Sequence, residues 1–436
     1  MCKLFFKLLR YSKSIIVLSL ILAVWSVNLS YSQTNDTLMT YKSSYDFIIK
    51  DSPARLFTMR QFNKNYLSLY RYTSHLLSDS PKSSHRWAML ALNITDALFL
   101  YPLTHEEGHR SILSSLGIGS ISQPYFNSKG AAYAMGVKDD ELIKLRTNDL
   151  PNYIRLHTAG LESDYMLCRN IEDAVIFGKE RKSILFYSYL LRQLGIISYY
   201  GMSAFPNMMP QIAEESDEYK RDIVGIDVYG AVKNLYRPNE IFYRYTNYND
   251  LTRQEQKFVT RVATRSLLNI INPLFIKPLN FIQKENLKLS LGVGYTMSPF
   301  GDFIDENFWL KIHDQYNIKM YLRQFQNKTN WFFGGGISLV DYEISPIFKT
   351  TISTHLWSQP KNLDFNTSNG KFGGSGDILI KSNLIKMNSN QSLSIDLGLN
   401  YKTKGFLPEE MLMKEHIGLR IGMTFYFTKI ASVQKN

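Results

Sequence analysis

Five residues, His105-Glu106-Glu107-Gly108-His109, form the pattern HExxH, in which two histidines stand four positions apart. On an α-helix these two positions share one face, so both imidazole rings can reach a single metal ion. Glu106 lies beside them and can take a proton from a water on that metal. The pattern therefore predicts a hydrolytic zinc site, with His105 and His109 as metal ligands and Glu106 as the general base.

The residues around the motif favour the helix that this chemistry needs. One reading begins a new helix near Thr104, at the start of a capping-box pattern. The other continues a helix from the segment at Trp87 and kinks it at Pro102. Gly117 is suited to end the helix in both readings, and both place the two histidines one turn apart.

These residues resemble the zincin metallopeptidases, in which two histidines of an HExxH helix bind zinc and the glutamate acts as general base. The resemblance covers the motif and the helical region around it. Gly108 fits the family pattern, whereas Glu107 and Arg110 are charged where the family usually has uncharged residues. The resemblance implies hydrolysis of peptide bonds, with Zn²⁺ as the cofactor and a peptide or protein as the substrate.

A third protein ligand must come from another part of the chain. We expect Glu162, because the small residues Thr158 and Ala159 one turn before it would let its helix pack closely on the HExxH helix. A downstream glutamate on a second helix resembles the gluzincin arrangement. The alternatives are Asp164, His157 and a residue that the sequence does not identify, and Asp164 could instead accept a hydrogen bond from a histidine ring.

A short strand framed by glycines is predicted between these two helices, over residues 129–137. In zincins an edge strand beside the metal pairs with the extended substrate backbone. The resemblance therefore implies that Ala132, Tyr133 and Ala134 bind the substrate. An ordinary hairpin is the alternative reading of this segment.

Other residues that could bear chemistry have a structural interpretation. Asp222 and Asp227 could support the metal site from a distance, but a loop or helix-cap role is favoured for both. Cys168 lies in a helical stretch among apolar residues and is expected to be a small buried hydrophobe. The histidines outside the motif, apart from His157, show no ligand spacing.

The start of the chain has the three-part layout of a secretory signal peptide, with basic residues before an apolar run at 15–27. We expect cleavage near Ser32, and a retained membrane anchor is the alternative. Part of the formal charge of +12 comes from this segment. The other cations are scattered among aromatic residues, which argues against a nucleic-acid partner.

The composition changes from helical to strand-like patterns near two prolines in residues 271–278. The fold class predicted is α+β, with a mainly helical zincin-like domain followed by an antiparallel β-barrel of about eight strands. The domains predicted are a signal peptide at 1–32, the helical zinc hydrolase domain at 33–280, the antiparallel β-domain at 281–430 and a tail at 431–436.

Two apolar segments of the helical part, 87–103 and 184–202, are long enough to suggest membrane spans. Each contains central polar or charged residues, whose burial in lipid is costly, so both are predicted to be core helices. An intramembrane site is the alternative, and the motif would then resemble that of the site-two proteases.

Eight segments of the C-terminal part alternate between apolar residues and small or polar ones. This alternation suits an outer-membrane β-barrel with lipid outside. The last segment, ending Phe425-Tyr426-Phe427, resembles the closing strand of Gram-negative outer-membrane barrels, although this chain continues to Asn436. A soluble sandwich, with apolar faces packed on each other, is the alternative.

Together these patterns predict a secreted zinc-dependent metallopeptidase in the outer membrane or periplasm of a Gram-negative cell, in contact with outer-membrane lipid. One alternative is an outer-membrane β-barrel for binding or transport, in which the helical domain is not catalytic. Another is a zincin-like fold that binds zinc but serves as a chaperone or assembly factor.

Overall fold

The computed structural model describes residues 40–78, 83–123, 132–209, 215–276, 279–388 and 390–430. The predicted signal peptide and the C-terminal tail lie outside these residues. The described chain combines helices with a large antiparallel sheet, so the predicted α+β class is confirmed. None of the helices in these ranges is both long and apolar enough to cross a membrane.

Helices make up most of the chain before residue 270. A π-helical turn at Asp96–Leu100 joins the second helix to the third without a break, so the motif lies in the longer of the two helices considered above. The α-helices are α1 (Met59–Ser78), α2 (Ser83–Thr95), α3 (Tyr101–Leu116), α4 (Asp139–Asn148), α5 (Leu150–Ile176), α6 (Lys182–Ser203), α7 (Asp227–Tyr236) and α8 (Arg253–Ser266).

Ten strands form one antiparallel sheet, in the order β1-β12-β11-β10-β9-β8-β7-β6-β5-β4. Each of the eight predicted strands overlaps one of β5 to β12, and two of them run one residue past the observed end, at His313 and Ile347. A separate two-stranded sheet joins β2 (Ile121–Gln123) to β3 (Tyr133–Met135). The strands of the large sheet are β1 (Thr40–Ser52), β4 (Ile282–Lys284), β5 (Leu287–Ser298), β6 (Gly301–Ile312), β7 (Tyr316–Gln326), β8 (Trp331–Glu343), β9 (Phe348–Pro360), β10 (Gly370–Asn388), β11 (Gln391–Lys402) and β12 (His416–Ile430).

One strand of the large sheet, β1, comes from the N-terminal part of the described chain. Strand β1 pairs along its length with β12, with Tyr45 opposite Phe425. The predicted boundary at residue 280 therefore does not separate the sheet from the helical part. Strands β1 and β4 form the two ends of the sheet, and no ladder joins them within the described ranges, so a closed barrel is not confirmed.

Amide side chains from the helical part cap two edges of the sheet, one on β1 and one on the part of β5 that β4 does not cover. Asn65 of α1 accepts from Ile48 N at 2.7 Å and donates to Ile48 O at 2.9 Å. Asn269 binds Tyr295 of β5 in the same manner, at 2.9 and 3.0 Å. An exposed strand edge invites pairing with another chain, and each asparagine satisfies one residue of such an edge as a neighbouring strand would.

The sheet and the helices share one hydrophobic core. Tyr165 of α5 packs edge-on against Phe303 of β6, with 5.8 Å between the ring centroids. Its hydroxyl donates to Asp305 on the same strand at 2.6 Å. The helical part is therefore held rigidly against the inner face of the sheet.

The outward face of the sheet is largely apolar, and its inward face contains buried polar side chains. On β11 the side chains of Ile395, Leu397 and Leu399 are about half exposed, whereas the alternating Ser394 and Asp396 are buried. Strands β7, β8, β9 and β12 also have exposed apolar side chains, which include Leu322, Ile337, Ile352, Leu356, Ile417 and Leu419.

Candidate metal centre

The motif helix α3 packs directly against α5, and glycine makes the close approach possible. A Cβ atom on Gly108 would lie 2.4 Å from the carbonyl oxygen of Ala159. One on Gly160 would lie 2.4 Å from Nε2 of His105. Both distances are far shorter than van der Waals contact, so the two glycines bring the backbone of α5 against the motif.

Hydrogen bonds to α5 orient both histidine rings of the motif. Nδ1 of His105 lies 2.8 Å from Oδ2 of Asp164, and Nδ1 of His109 lies 2.6 Å from the carbonyl oxygen of Leu156. An ionised carboxylate and a carbonyl oxygen can only accept, so the proton of each ring belongs on Nδ1. Once Nε2 loses its proton, as metal binding requires, each ring presents the lone pair of that nitrogen to the space in front of it.

Asp227, the first residue of α7, faces both of these nitrogens. Its Oδ2 lies 3.2 Å from Nε2 of His105 and 3.4 Å from Nε2 of His109. One ligand atom from each of the three residues lies within 4.8 Å of the other two. A tetrahedral zinc ion with bonds of about 2.0–2.1 Å needs its ligand atoms roughly 3.3 Å apart, so both measured separations suit it.

The pKa shifts of Asp227 and His105 are those expected of a site where a metal ion replaces bound protons. Burial raises the pKa of Asp227, but the facing His109 and His105 together hold it well below its usual range. Burial lowers the pKa of His105, and hydrogen bonds to Asp164 and Asp227 outweigh that effect and raise it. A cation among the three groups would satisfy all of them.

Glu106 is buried next to the cluster. Burial raises the pKa of its carboxyl more than the nearby His109 and His105 lower it, so that pKa lies above its ordinary value. Burial and the nearby Glu106 raise the pKa of Asp222 to about 8. Proton transfer is most effective when the pKa of the base approaches the working pH, so the environment of Glu106 suits a general base.

The structure does not bring Glu162 to the two histidines. Its carboxylate forms a two-point ion pair with Arg155, at 3.0 and 2.7 Å, and accepts from the backbone N–H of Glu409 at 2.8 Å. Residues two apart on a helix point in nearly opposite directions. Because Asp164 faces His105, Glu162 must face away, and Asp227 occupies the position expected for it.

His157, the other residue considered as a third ligand, packs against α7. A Cβ on Gly230 would lie 2.3 Å from Nδ1 of His157, so the ring packs against the backbone of that helix. Burial lowers the pKa of His157 to about 4. The ring is therefore neutral at physiological pH, and it lies outside the cluster of three ligand atoms.

The two charged residues that depart from the zincin pattern bind each other. Arg110 donates to Glu107, which also accepts from the hydroxyl of Ser122 at 2.7 Å. Arg110 donates in addition to the carbonyl oxygen of Ser120 at 3.2 Å. These contacts attach the segment that contains β2 to the motif helix and keep both charges away from the metal cluster.

The predicted substrate-binding residues do not form an open strand edge. Tyr133 and Ala134 lie in β3, which pairs on one side with β2. On the other side the carbonyl oxygen of Ala134 accepts from Ile223 N at 2.9 Å. Ala132 precedes the strand, and residues 129–131 lie outside the described ranges. The carbonyl oxygen of Ala134 is thus already bound and is not free to accept from a substrate backbone.

Asp227 is the residue of the cluster that sequence reasoning assigned elsewhere. It begins a helix after Gly225, which has a positive φ of 66°, and such a position is also typical of an ordinary helix start. Only the packing of α7 against α5 brings it to the histidines.

No protein-family model matches the chain, and comparison with curated proteins gives no significant match.

Proposed function

We propose that this protein is a zinc-dependent metallopeptidase in which His105, His109 and Asp227 hold Zn²⁺ and Glu106 is the general base. One observation carries the proposal: two histidine nitrogens, with their lone pairs directed by hydrogen bonds, face one buried carboxylate oxygen at 3.2 and 3.4 Å. Three protein ligands leave a fourth position for water, as hydrolytic zinc sites require.

The residues of the site have distinct tasks in this mechanism. Zinc, when bound, supplies a Lewis acid that polarises a carbonyl group and acidifies water. Glu106 accepts the proton of the attacking water and passes it to the departing amine. Asp164 keeps the ring of His105 in the tautomer and orientation that ligation needs.

Metal analysis of the purified chain tests the assignment. We expect about one zinc per chain in the wild type and in Asp222→Asn, and none in Asp227→Asn. The two variants remove buried carboxylates from the same stretch of chain, so Asp222→Asn is the matched control. Glu106→Gln should keep the zinc and lose hydrolysis. A wild type without zinc would overturn the function, and zinc retained by Asp227→Asn would overturn the ligand set.

We also propose that the outward face of β5 to β12 contacts outer-membrane lipid. The support is the inverted polarity of the sheet, together with strands of 11 to 19 residues. A tilted strand of about 9–11 residues is enough to span the bilayer. In this proposal the sheet and the helical elements along its two edges form a barrel-like wall around a polar interior.

A charge on the outward face distinguishes lipid from water. Leu397 is 54% exposed, so Leu397→Arg would change stability little in water. In a bilayer the same change should cost about 2–4 kcal/mol near the midplane. Ile241, which is 88% exposed and lies in the helical part, provides the control Ile241→Arg. Unfolding in lipid vesicles that responds equally weakly to both substitutions would contradict the membrane proposal.

A role in binding or transport is the second candidate, and a polar cavity favours it. The cavity, of about 290 Å³, lies between the inner face of the sheet and α5. Charged residues line it, including Lys64, Asp305, Arg323 and Lys381. Metal content separates the two candidates, because this role needs no zinc.

A further inference from the structure

Polar side chains of α1 bind the open edge of β1. Three residues one turn apart on the helix meet three alternate residues of the strand: Arg71 donates to Ser44 O, Ser68 to Asp46 O, and Asn65 binds both backbone groups of Ile48. The donor–acceptor distances lie between 2.6 and 2.9 Å. The backbone groups of alternate strand residues point to the same side, here away from β12. The helix therefore takes the place of a neighbouring strand along this edge.

The segment 267–276, which begins with a 3₁₀ turn, covers the edge of β5 in the same manner. Beside the contacts between Asn269 and Tyr295, the backbone N–H of Val293 donates to the carbonyl oxygen of Ile271 at 2.7 Å. Val293 and Tyr295 are again alternate residues, and both lie beyond the three residues of β5 that pair with β4. This segment thus binds one edge of the sheet as α1 binds another.

The exposed side chains of both elements are apolar or aromatic. Those exposed among residues 59–77 of α1 are Leu69, Tyr72 and Leu76. Their spacing of three and four residues places them in one stripe. Those exposed in the segment 267–276 are Leu267, Ile270, Ile271 and Ile276. The polar residues of that segment, Asn269 and Asn272, are fully buried.

The exposed stripe of α1 continues the apolar outward face of the sheet. With about 3.6 residues per turn, the stripe lies roughly opposite Leu67 and Tyr70, which belong to the shared core, and beside the residues that bind β1. Strand β1 lies between α1 and β12, and its Ile49 is also exposed. An apolar surface therefore runs from the sheet across β1 to the helix.

Helix α4 has a different exposed face. Its exposed residues include the charged Asp140, Glu141 and Lys144 beside Ile143, as is typical of a helix in contact with water. Charged residues of α1 face inward instead, and Arg71 is buried against β1. The apolar outer faces of α1 and the segment 267–276 are thus a local property and not a feature of every helical element of this chain.

We propose that α1 and the segment 267–276 contact the acyl chains of membrane lipid and extend the lipid-facing wall beyond the edges of the sheet. This inference rests on the proposed lipid contact of β5 to β12. Hydrocarbon offers no hydrogen bonds, so a strand edge that meets lipid needs its backbone groups satisfied by protein. An edge in water can be protected by charged side chains, which both elements lack on their outer faces.

Spin labels placed singly in the full chain test the proposal in dilauroyl-phosphatidylcholine vesicles. The labelled variants are Leu69→Cys and Ile270→Cys at the two edges, Leu397→Cys on the sheet as the reference and Ile143→Cys on α4 as the control. Cys168 is buried and should not react, and Cys2→Ser removes the other cysteine. Oxygen concentrates in hydrocarbon and a nickel chelate stays in water, so the ratio of their collision rates with the label reports its surroundings.

We expect the oxygen-to-nickel ratio at both edge positions to match the reference and to exceed the control. A ratio at either edge position that matches the control, with the reference in lipid, would overturn the inference and leave the lipid contact of the sheet intact. Low collision rates with both reagents would also overturn it, because protein would then cover the surface, and crosslinking would show whether that protein is a second copy. A reference that itself matches the control removes the proposed lipid contact first.

Discussion

Replacement of Gly160 by alanine should displace His105 and weaken zinc binding. The new Cβ would lie 2.4 Å from Nε2 and 2.6 Å from both Cδ2 and Cε1 of that ring. Carbon and nitrogen atoms in contact prefer about 3.5 Å or more, so the ring or the helix must move by about 1 Å. The ring cannot swing away freely, because its Nδ1 is bound to Asp164.

The size of the effect follows from the tolerance of metal sites. Zinc ligands are held within about 0.2 Å of their preferred distances, so a shift of about 1 Å removes His105 from useful range unless α3 and α5 separate. We expect zinc affinity to fall by at least the roughly 10- to 100-fold found when an orienting partner of a ligand is lost. Overpacking should also lower the free energy of unfolding by about 1–3 kcal/mol.

The assay is competition for zinc against a chromogenic chelator, beside thermal unfolding of the metal-free chain. Gly201→Ala is the control, because no atom lies within 4 Å of a Cβ at that helical position. It should leave zinc affinity unchanged and stabilise the chain by up to about 1 kcal/mol. If Gly160→Ala binds zinc as tightly as the wild type, the close contact between α5 and the motif is not as described.

Three other perturbations test separate parts of the structure. Asp164→Asn should lower zinc affinity about 10- to 100-fold by calorimetry while the chain stays folded, because the orienting carboxylate of His105 is lost. Asn65→Ala removes both hydrogen bonds to Ile48 and should lower the free energy of unfolding by about 1–3 kcal/mol; an unchanged denaturation midpoint would contradict the edge-capping role. The folded pKa of His157 is about 4 and its ordinary value about 6.5, so the unfolded chain takes up a proton first as pH falls. The stability that the neutral ring contributes is complete above about pH 6.5 and is lost as the pH falls toward 4. The loss in free energy of unfolding should reach roughly 3 kcal/mol. Denaturant titrations of His157→Gln should show a smaller loss over the same pH range.

The sheet could be predicted well where side chains alternate strictly. In β11 the alternation from Leu393 to Tyr401 is unbroken, and the strand and its two faces follow from the sequence alone. Strand β1 was not predicted, because residues 40–52 mix charged and aromatic side chains without one period. Its partner lies at the opposite end of the chain, and no local signal reports such a pairing.

The candidate site could be predicted in part. The helical spacing of His105 and His109 is a local property, so sequence reasoning identified this pair and the orienting role open to Asp164. The third group depends on which face of α5 meets the motif and on where α7 packs, and both are decided by tertiary contacts. Glu162 and Asp227 are each plausible acids by sequence, and only the three-dimensional packing distinguishes them.

The pairing of β1 with β12 ties the candidate site to a distant part of the polypeptide. Helix α1, whose Asn65 is bound to β1, follows that strand, and Asn63 of the same helix binds α5 through the hydroxyl of Ser163 at 3.0 Å. During synthesis the ribosome releases β1 long before β12, and closure of so large a loop delays folding. The candidate metal centre should therefore acquire its final geometry late, after the last strand has docked.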